Sequence, residues 1–499
     1  MNIIDFEGKV PLEIIGILGE LIENAGEGND LSQLEKSIEV SLTFIESENF
    51  SDRERGLLNY NISNAWSYIQ RIKFPNEEFP LETVELEKQI IHLRIANNLM
   101  AETDDDFNKC QILTNLGNLF SHIGRFSEAQ EYFNQCLEIN NDFGMAIGNR
   151  GFGLYYYARV IFDPIQQFMF MKYARKDLMN AMLSKQVYNE AKYAFGEMIQ
   201  QIENAFSVDD LNDFRSYNNF YRGIKKNEKE YKEWCAINKL FINPLNDILT
   251  ESVIAEDSLF IPTLIWNPNE KLFFQSMFNQ LKQEYTSARF LFYEALQNYH
   301  PHFADKNVVL MDTLDYSVYS FTLEKIKMVF RVCYSVFDKI AYFLNRYLNL
   351  KLDEYRVSFR TVWYTNLDKN RGLNNQFLIT KNWAIRGLFW LSKDLFEKEF
   401  DSSIEPDAKE IASIRNFIEH KSFKIVESFE DGWSEKTETF EIDRGLFYDK
   451  TFRLLKLSRS AILYLSFLIY DEERKKINHD PSIPAVPINF IPIEDNEKI

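Results

Sequence analysis

The residues with the clearest chemical potential lie in the segment AKEIASIRNFIEHKSF, where Arg415 is followed by Asn416 and then, five positions on from the arginine, by His420. An imidazole titrates near neutral pH, which suits it to moving protons. A guanidinium presents a planar fork of N–H donors that fits phosphoryl oxygens. Spacing alone says little, because about one such Arg–His pair is expected by chance in a chain of this composition. A second pair, Arg474 and His479, indeed stands in the polar stretch ERKKINHDP. Setting separates them. Ile411, Ile414 and Ile418 form an apolar stripe through the first segment, which therefore reads as a bundle helix with a core face. Asn416 and His420, four apart, share a helical face, and Arg415 lies about 140° around from His420, a gap its long side chain can cross. Two ordinary explanations compete with a site: Arg415 and Glu419 as a solvated i,i+4 ion pair, and His420 at a helix end interacting with terminal carbonyls.

Other residues offer less. His300 and His302 flank Pro301, but no third metal-ligating cluster stands near them, so no metal or other cofactor is expected. No P-loop, G-x-G-x-x-G or G-x-S-x-G occurs, which leaves nucleotide hydrolysis and serine-hydrolase chemistry without support. Cys110, Cys136, Cys235 and Cys333 are widely spread with no C-x-x-C spacing, which fits a reducing, cytoplasmic setting. Trp234-Cys235 reads as a buried pair with an inert thiol.

The elements that must position these groups are helices. The 499 residues exceed one ordinary domain, and 45% apolar with 26% charged residues is a globular composition. Glycine (18) and proline (13) are scarce, which favours long helices, while 43 phenylalanines and 25 tyrosines suffice to fill several helix–helix interfaces. The formal net charge of −19 argues against a general electrostatic footprint for nucleic acid, so any RNA contact must be local. The N-terminus, with Asp5, Glu7 and Pro11, does not read as a signal peptide. The apolar run from Ala461 to Tyr470 is too short to span a bilayer.

Along the chain, CQILTNLGNLFSHIGRFSEAQEYFNQCLEIN reads as one tetratricopeptide unit. Gly117 and Ala129 let its two helices approach, Gly124 breaks the first, and Phe133 fills the gap between units. Thirty-four residues on, Asn149-Arg150-Gly151 repeats Asn115-Leu116-Gly117, and Asn61 to Trp66 echoes the same helix upstream, with its partner delayed by Pro75–Pro80. The expected organisation is all-α: a helical repeat region over 1–235, a structured connector over 236–275 with Pro244, Pro262 and Pro268, a helical bundle over 276–477, and a proline-rich extended tail over 478–499. Within the bundle, helices are predicted over Phe274–Asn298, Ser317–Leu348, Trp383–Phe400, Asp407–Phe423 and Tyr448–Lys476. The acidic stretch Glu427–Asp443 is expected to be a surface loop or hairpin.

The stretches WCAINKLFINPLNDIL, WAIRGLFWLSKD and IRNFIEHKSF, with the repeats in front, resemble a subgroup of the HEPN superfamily fused to N-terminal tetratricopeptide-like repeats. The resemblance covers roughly the last 270 residues of the chain. It implies metal-independent RNA cleavage. His420 would be general base or acid on the ribose 2′-hydroxyl or the leaving oxygen, and Arg415 would neutralise charge on the phosphoryl oxygens. Asn416 would hold the His420 tautomer or touch the phosphate. An acid on the long second bundle helix would support them, Asp338 first and Glu324 second. Use of the 2′-hydroxyl implies an RNA substrate, tRNA or mRNA, and the family implies a homodimer through this domain. By the same analogy the protein would be a bacterial toxin or antiphage effector regulated through its repeats. The alternative is a non-catalytic scaffold with an inactive HEPN module and a protein or peptide partner in the repeat groove. A basic pocket with Arg415 and His420 both exposed at a dyad favours cleavage; burial of either in the core would end that reading.

Overall fold

Several helices begin where the sequence supplies a cap. Ser51 accepts from the Glu54 N–H while the Glu54 carboxylate takes the Ser51 N–H, and Asp163 caps a helix that opens on Pro164. A computed structural model of the chain describes residues 6–75, 80–214, 224–262, 264, 272–297, 300–378, 380–396, 408–427, 433–435, 439–479 and 492–498. The front half is a series of antiparallel helices: α1 (Pro11–Glu27), α2 (Leu31–Ile45), α3 (Asp52–Lys73), α4 (Val84–Met100), α5 (Asp106–His122) and α6 (Phe126–Ile139). It continues through α7 (Gly144–Val160), α8 (Pro164–Leu183), α9 (Asn189–Ala205), α10 (Val208–Asn212) and α11 (Lys226–Ile237). The expected tetratricopeptide unit is the α5–α6 hairpin. Phe133 is fully buried against Gly117, where a Cβ would come within 2.5 Å of the ring, so the two helices meet as closely as the sequence pattern required.

The rear half contains α12 (Phe273–Gln297), α13 (Phe321–Tyr347), α14 (Asn375–Leu378), α15 (Trp383–Phe396), α16 (Ala408–His420) and α17 (Arg444–His479). The apolar stripe of α13, from Ile326 through Phe330, Cys333, Phe337 and Ile340 to Phe343, is fully buried, as is the run Ala461–Leu465 of α17. Ile411, Ile414 and Ile418 turn the apolar side of α16 into the same core. All-α architecture with the repeats in front thus holds, with one addition. Where a loop or hairpin was expected after α16, three short strands form a sheet in the order β1-β3-β2: β1 (Ser422–Val426), β2 (Trp433–Glu435) and β3 (Thr439–Asp443). Strand β1 runs parallel to β3, and β2 antiparallel to it. The cause is a short alternation in TFEID, which buries Phe440 and Ile442 and turns Glu441 outward. Phe440 then meets Phe417 of α16 and stacks on Phe423.

The halves share buried polar contacts. Asp247 accepts from Ser127 at 2.7 Å, from Tyr157 at 2.8 Å and from Arg459 of α17 at 2.7 Å, so connector, repeats and bundle meet on one carboxylate. Asp394 of α15 is ion-paired to Arg94 and Arg125 of the repeat region, and Lys393 to Glu82 and Glu87. The expected extended tail falls mostly on 480–491, outside the described residues, as do 76–79 of the delayed hairpin, 265–271 of the connector, 397–400 of the third bundle helix, and 428–432 and 436–438 of the acidic stretch.

Candidate active site

Helix α16 carries Arg415, Asn416 and His420 on a segment whose isoleucines are fixed in the core, so the polar side must face outward. Arg415 is half-buried, and Asn416 and His420 are exposed. The opposite wall is α13, which presents Arg331, Tyr334 and Asp338 at i, i+3 and i+7, one face of a helix. The Arg415 guanidinium lies over the Tyr334 ring, 5.3 Å from its centroid. Asp338 accepts a hydrogen bond from the Phe359 N–H at 3.1 Å. Burial raises the Asp338 carboxyl above its usual range, opposed by the Phe359 hydrogen bond and by the nearby Arg415 charge. Burial likewise pushes the Tyr334 phenol up, with Asp338 adding to the shift while Arg415 and Arg360 oppose it. Tyr334 therefore stands among three charges and serves as the platform on which Arg415 rests.

Arg331 holds the other end of the helix. It pairs with Glu419 at 3.0 Å and donates to the Ile418 carbonyl at 3.0 Å, tying the last turn of α16 to α13. The i,i+4 ion pair between Arg415 and Glu419, expected as one ordinary explanation, is thus replaced: Glu419 is taken by Arg331, which leaves Arg415 to Tyr334 and Asp338. His420 is the last residue of α16 and opens to solvent just before β1.

The structure brings Arg415 and Asp338 together and keeps Asn416 and His420 on the exposed side. Glu324 lies fourteen residues before Asp338 on α13, about 21 Å away at helical rise, and pairs with Lys327 at 2.7 Å. It takes no part in this cluster. The second pair is separated as well: Arg474 is bound to Asp471 at 3.4 Å on the outer end of α17. His302 accepts from the Ala304 N–H at 3.1 Å and so closes a turn. Among the described residues, no three His, Cys, Asp or Glu side chains are grouped to hold a metal ion. The four cysteines are buried free thiols, and burial pushes Cys235 up to about 11.

Sequence reasoning missed Arg331, Tyr334 and Arg360. The first two were detectable in principle, since they share the spacing of Asp338 along α13. Arg360 reaches the site from a segment after α13 that has no helical period to betray it. Beyond Tyr334 lies an open cavity of about 620 Å³ whose lining includes Arg356, Arg360, Lys369, Arg371 and Phe396. Phe396 packs edge-on against Tyr334, with ring centroids 5.5 Å apart.

Helix pairs stand in front of a helical bundle, one helix of which turns Asn416 and His420 outward, and the architecture is that of an all-α protein. Residues 267–472 match the family model of the LA2681-like HEPN domain, and residues 111–143 match that of a tetratricopeptide repeat. The chain therefore carries an LA2681-like HEPN domain preceded by tetratricopeptide-like repeats. Neither the curated proteins nor the solved structures yield a significant match to it. No helix among the described residues is long and apolar enough to cross a membrane.

Proposed function

We propose that the protein is a metal-independent endoribonuclease of HEPN type, acting as a toxin or antiphage effector under the control of its repeats. One observation carries the reading: Arg415 is accessible and buttressed by Tyr334 and Asp338, on the same helix as an exposed His420, beside a cavity rich in cations. In the proposed reaction the ribose 2′-oxygen attacks phosphorus and the bond to the 5′-oxygen breaks, giving a 2′,3′-cyclic phosphate and a 5′-hydroxyl. His420 accepts the 2′-hydroxyl proton or delivers one to the leaving oxygen. Arg415 binds the phosphoryl oxygens as their charge grows. Asn416, four residues before His420, orients it or touches the phosphate. Arg415 lies over Tyr334 of α13 while His420 is exposed at the end of α16, and a homodimer that sets two α16 helices face to face would complete each site. The RNA would be tRNA or mRNA.

Control through the repeats has a physical route. Helix α15 begins at Trp383, which lines a cavity of about 580 Å³ in the repeat groove with Asn118, Asn149, Phe152 and Phe195. It ends at Phe396, against Tyr334. A partner in the groove and the arginine platform thus touch the same rigid element. That groove also favours the second reading, a scaffold that binds a protein or peptide and cuts nothing.

The deciding experiment is cleavage of total RNA in EDTA by the wild type, Arg415→Ala and His420→Ala. Each substitution is expected to lower the rate by about 100-fold or more, with cyclic phosphate ends from the wild type alone. No cutting, together with no growth arrest on expression in cells, would leave the scaffold.

A further inference from the structure

The cavity beyond Tyr334 has a composition that the rest of the molecule does not prepare for. The chain bears a formal charge of −19, yet Arg356, Arg360, Lys369 and Arg371 converge on one opening from the segment 356–371. Asp368 is the one acid in its lining among the described residues, and it is engaged with Arg371 at 3.6 Å and with the Asn370 N–H at 3.0 Å. Lys393 in the inner wall is already neutralised by Glu82 and Glu87. Arg356 and Arg360 are exposed and have no ion pair with an acid among the described residues. Two guanidinia therefore face the opening without a carboxylate partner among the described residues, and their forked donors fit phosphate oxygens.

The rings in the wall are otherwise occupied. Tyr364 is 6% exposed, and Phe396 sits edge-on against both Tyr334 and Phe359. What the cavity offers a ligand is charge and amide groups such as Asn366 and Asn370, with no free aromatic face for a base among the described residues of its lining. That combination recognises a phosphate backbone and not a nucleobase. Position adds direction, because Phe396 both lines the cavity and packs on Tyr334, the ring that Arg415 also lies over.

We propose that this cavity is a backbone-phosphate subsite, in which Arg356 and Arg360 hold phosphodiesters of a single-stranded RNA next to the one bound at Arg415. The choice of RNA rests on the ribonuclease reading; the anion preference does not. The subsite confers affinity without sequence preference, and it explains how an acidic protein meets RNA through a small local patch.

The test uses the full-length His420→Ala protein, which holds RNA without cutting it, and a fluorescently labelled single-stranded oligouridylate. Adding Arg356→Gln and Arg360→Gln together is expected to weaken binding about tenfold or more at low salt. The slope of log affinity against log salt should fall by about 1.4, at about 0.7 for each lost phosphate contact. Both side chains are exposed, so an unchanged thermal melt confirms that the variant is folded. Unchanged affinity and slope overturn the proposal, as does the absence of RNA binding in the parent. Saturation of the site by inorganic phosphate or AMP as tightly as by the oligomer overturns it in favour of a small-anion site. If wild type cuts RNA while the double substitution leaves binding untouched, the subsite falls and the nuclease stands. If the substitution abolishes RNA binding but wild type neither cuts nor arrests growth, the nuclease falls and the subsite stands.

Discussion

Asp338 sits under opposing influences that a titration can separate. Burial raises its carboxyl above the ordinary 3.8, and the Phe359 N–H and the Arg415 charge reduce that rise without cancelling it. The neutral acid is therefore favoured more in the folded chain than in the unfolded one. Its contribution to stability is complete below about 3.8 and is lost as pH rises through the higher folded value. Asp338→Asn keeps an acceptor for Phe359 and removes the titration. The variant is expected to be at least as stable as wild type to urea at pH 7, with the gap closing as pH falls toward 4; a deficit at pH 7 would assign Asp338 a net anchoring role instead. At this scale the sequence was half legible. Arg415, Asn416 and His420 could be picked out because they sit on one helix whose isoleucines set its orientation. Arg360 could not, because only tertiary packing brings the charge of an arginine from the segment after α13 to bear on Tyr334.

The elements were read well where periodicity ran long. The α13 stripe and the α5–α6 hairpin stand where their apolar and small residues required. Five-residue strands such as TFEID were hidden, because so short an alternation inside an acidic stretch looks like loop. What could not be read at all is the second use of Gly124. It closes the turn between α5 and α6 at φ +81°, and a Cβ there would also strike the Trp383 carbonyl at the start of α15. On the other side, a Cβ on Gly387 would come within 2.5 Å of the Gly124 carbonyl. Backbone meets backbone between a repeat turn and a bundle helix, and neither side can give way. Gly124→Ala combines left-handed strain with this clash and is expected to cost on the order of 3 kcal/mol in urea unfolding. A cost under about 1 kcal/mol would mean that the turn and α15 can separate freely.

Over the whole molecule, the same junction decides whether repeats and bundle unfold as one body. Phe126 stacks on Tyr157, and Tyr157 meets Phe467 of α17, so the aromatic core runs across the boundary without a gap. Ion pairs reinforce it: Arg94 donates to Asp394 at 3.1 and 3.0 Å, Arg125 binds the same carboxylate, and Glu128 holds Arg125 at 2.6 Å. Arg94, Arg125, Glu128 and Asp394 are all buried. Such a cluster is matched in charge as it stands, but removing one member leaves buried charge without compensation. Calorimetry on the full chain is therefore expected to show one cooperative transition, since neither half can leave without exposing the core of the other. Asp394→Ala removes the carboxylate that Arg94 and Arg125 share between the halves and should lower stability by about 3–5 kcal/mol. If the variant still melts in a single step at a lower temperature, the apolar seam alone couples the halves. If it melts in two, the ion pairs are the latch, and a ligand in the repeat groove that moves Trp383 has a direct means of loosening α15 from the arginine platform.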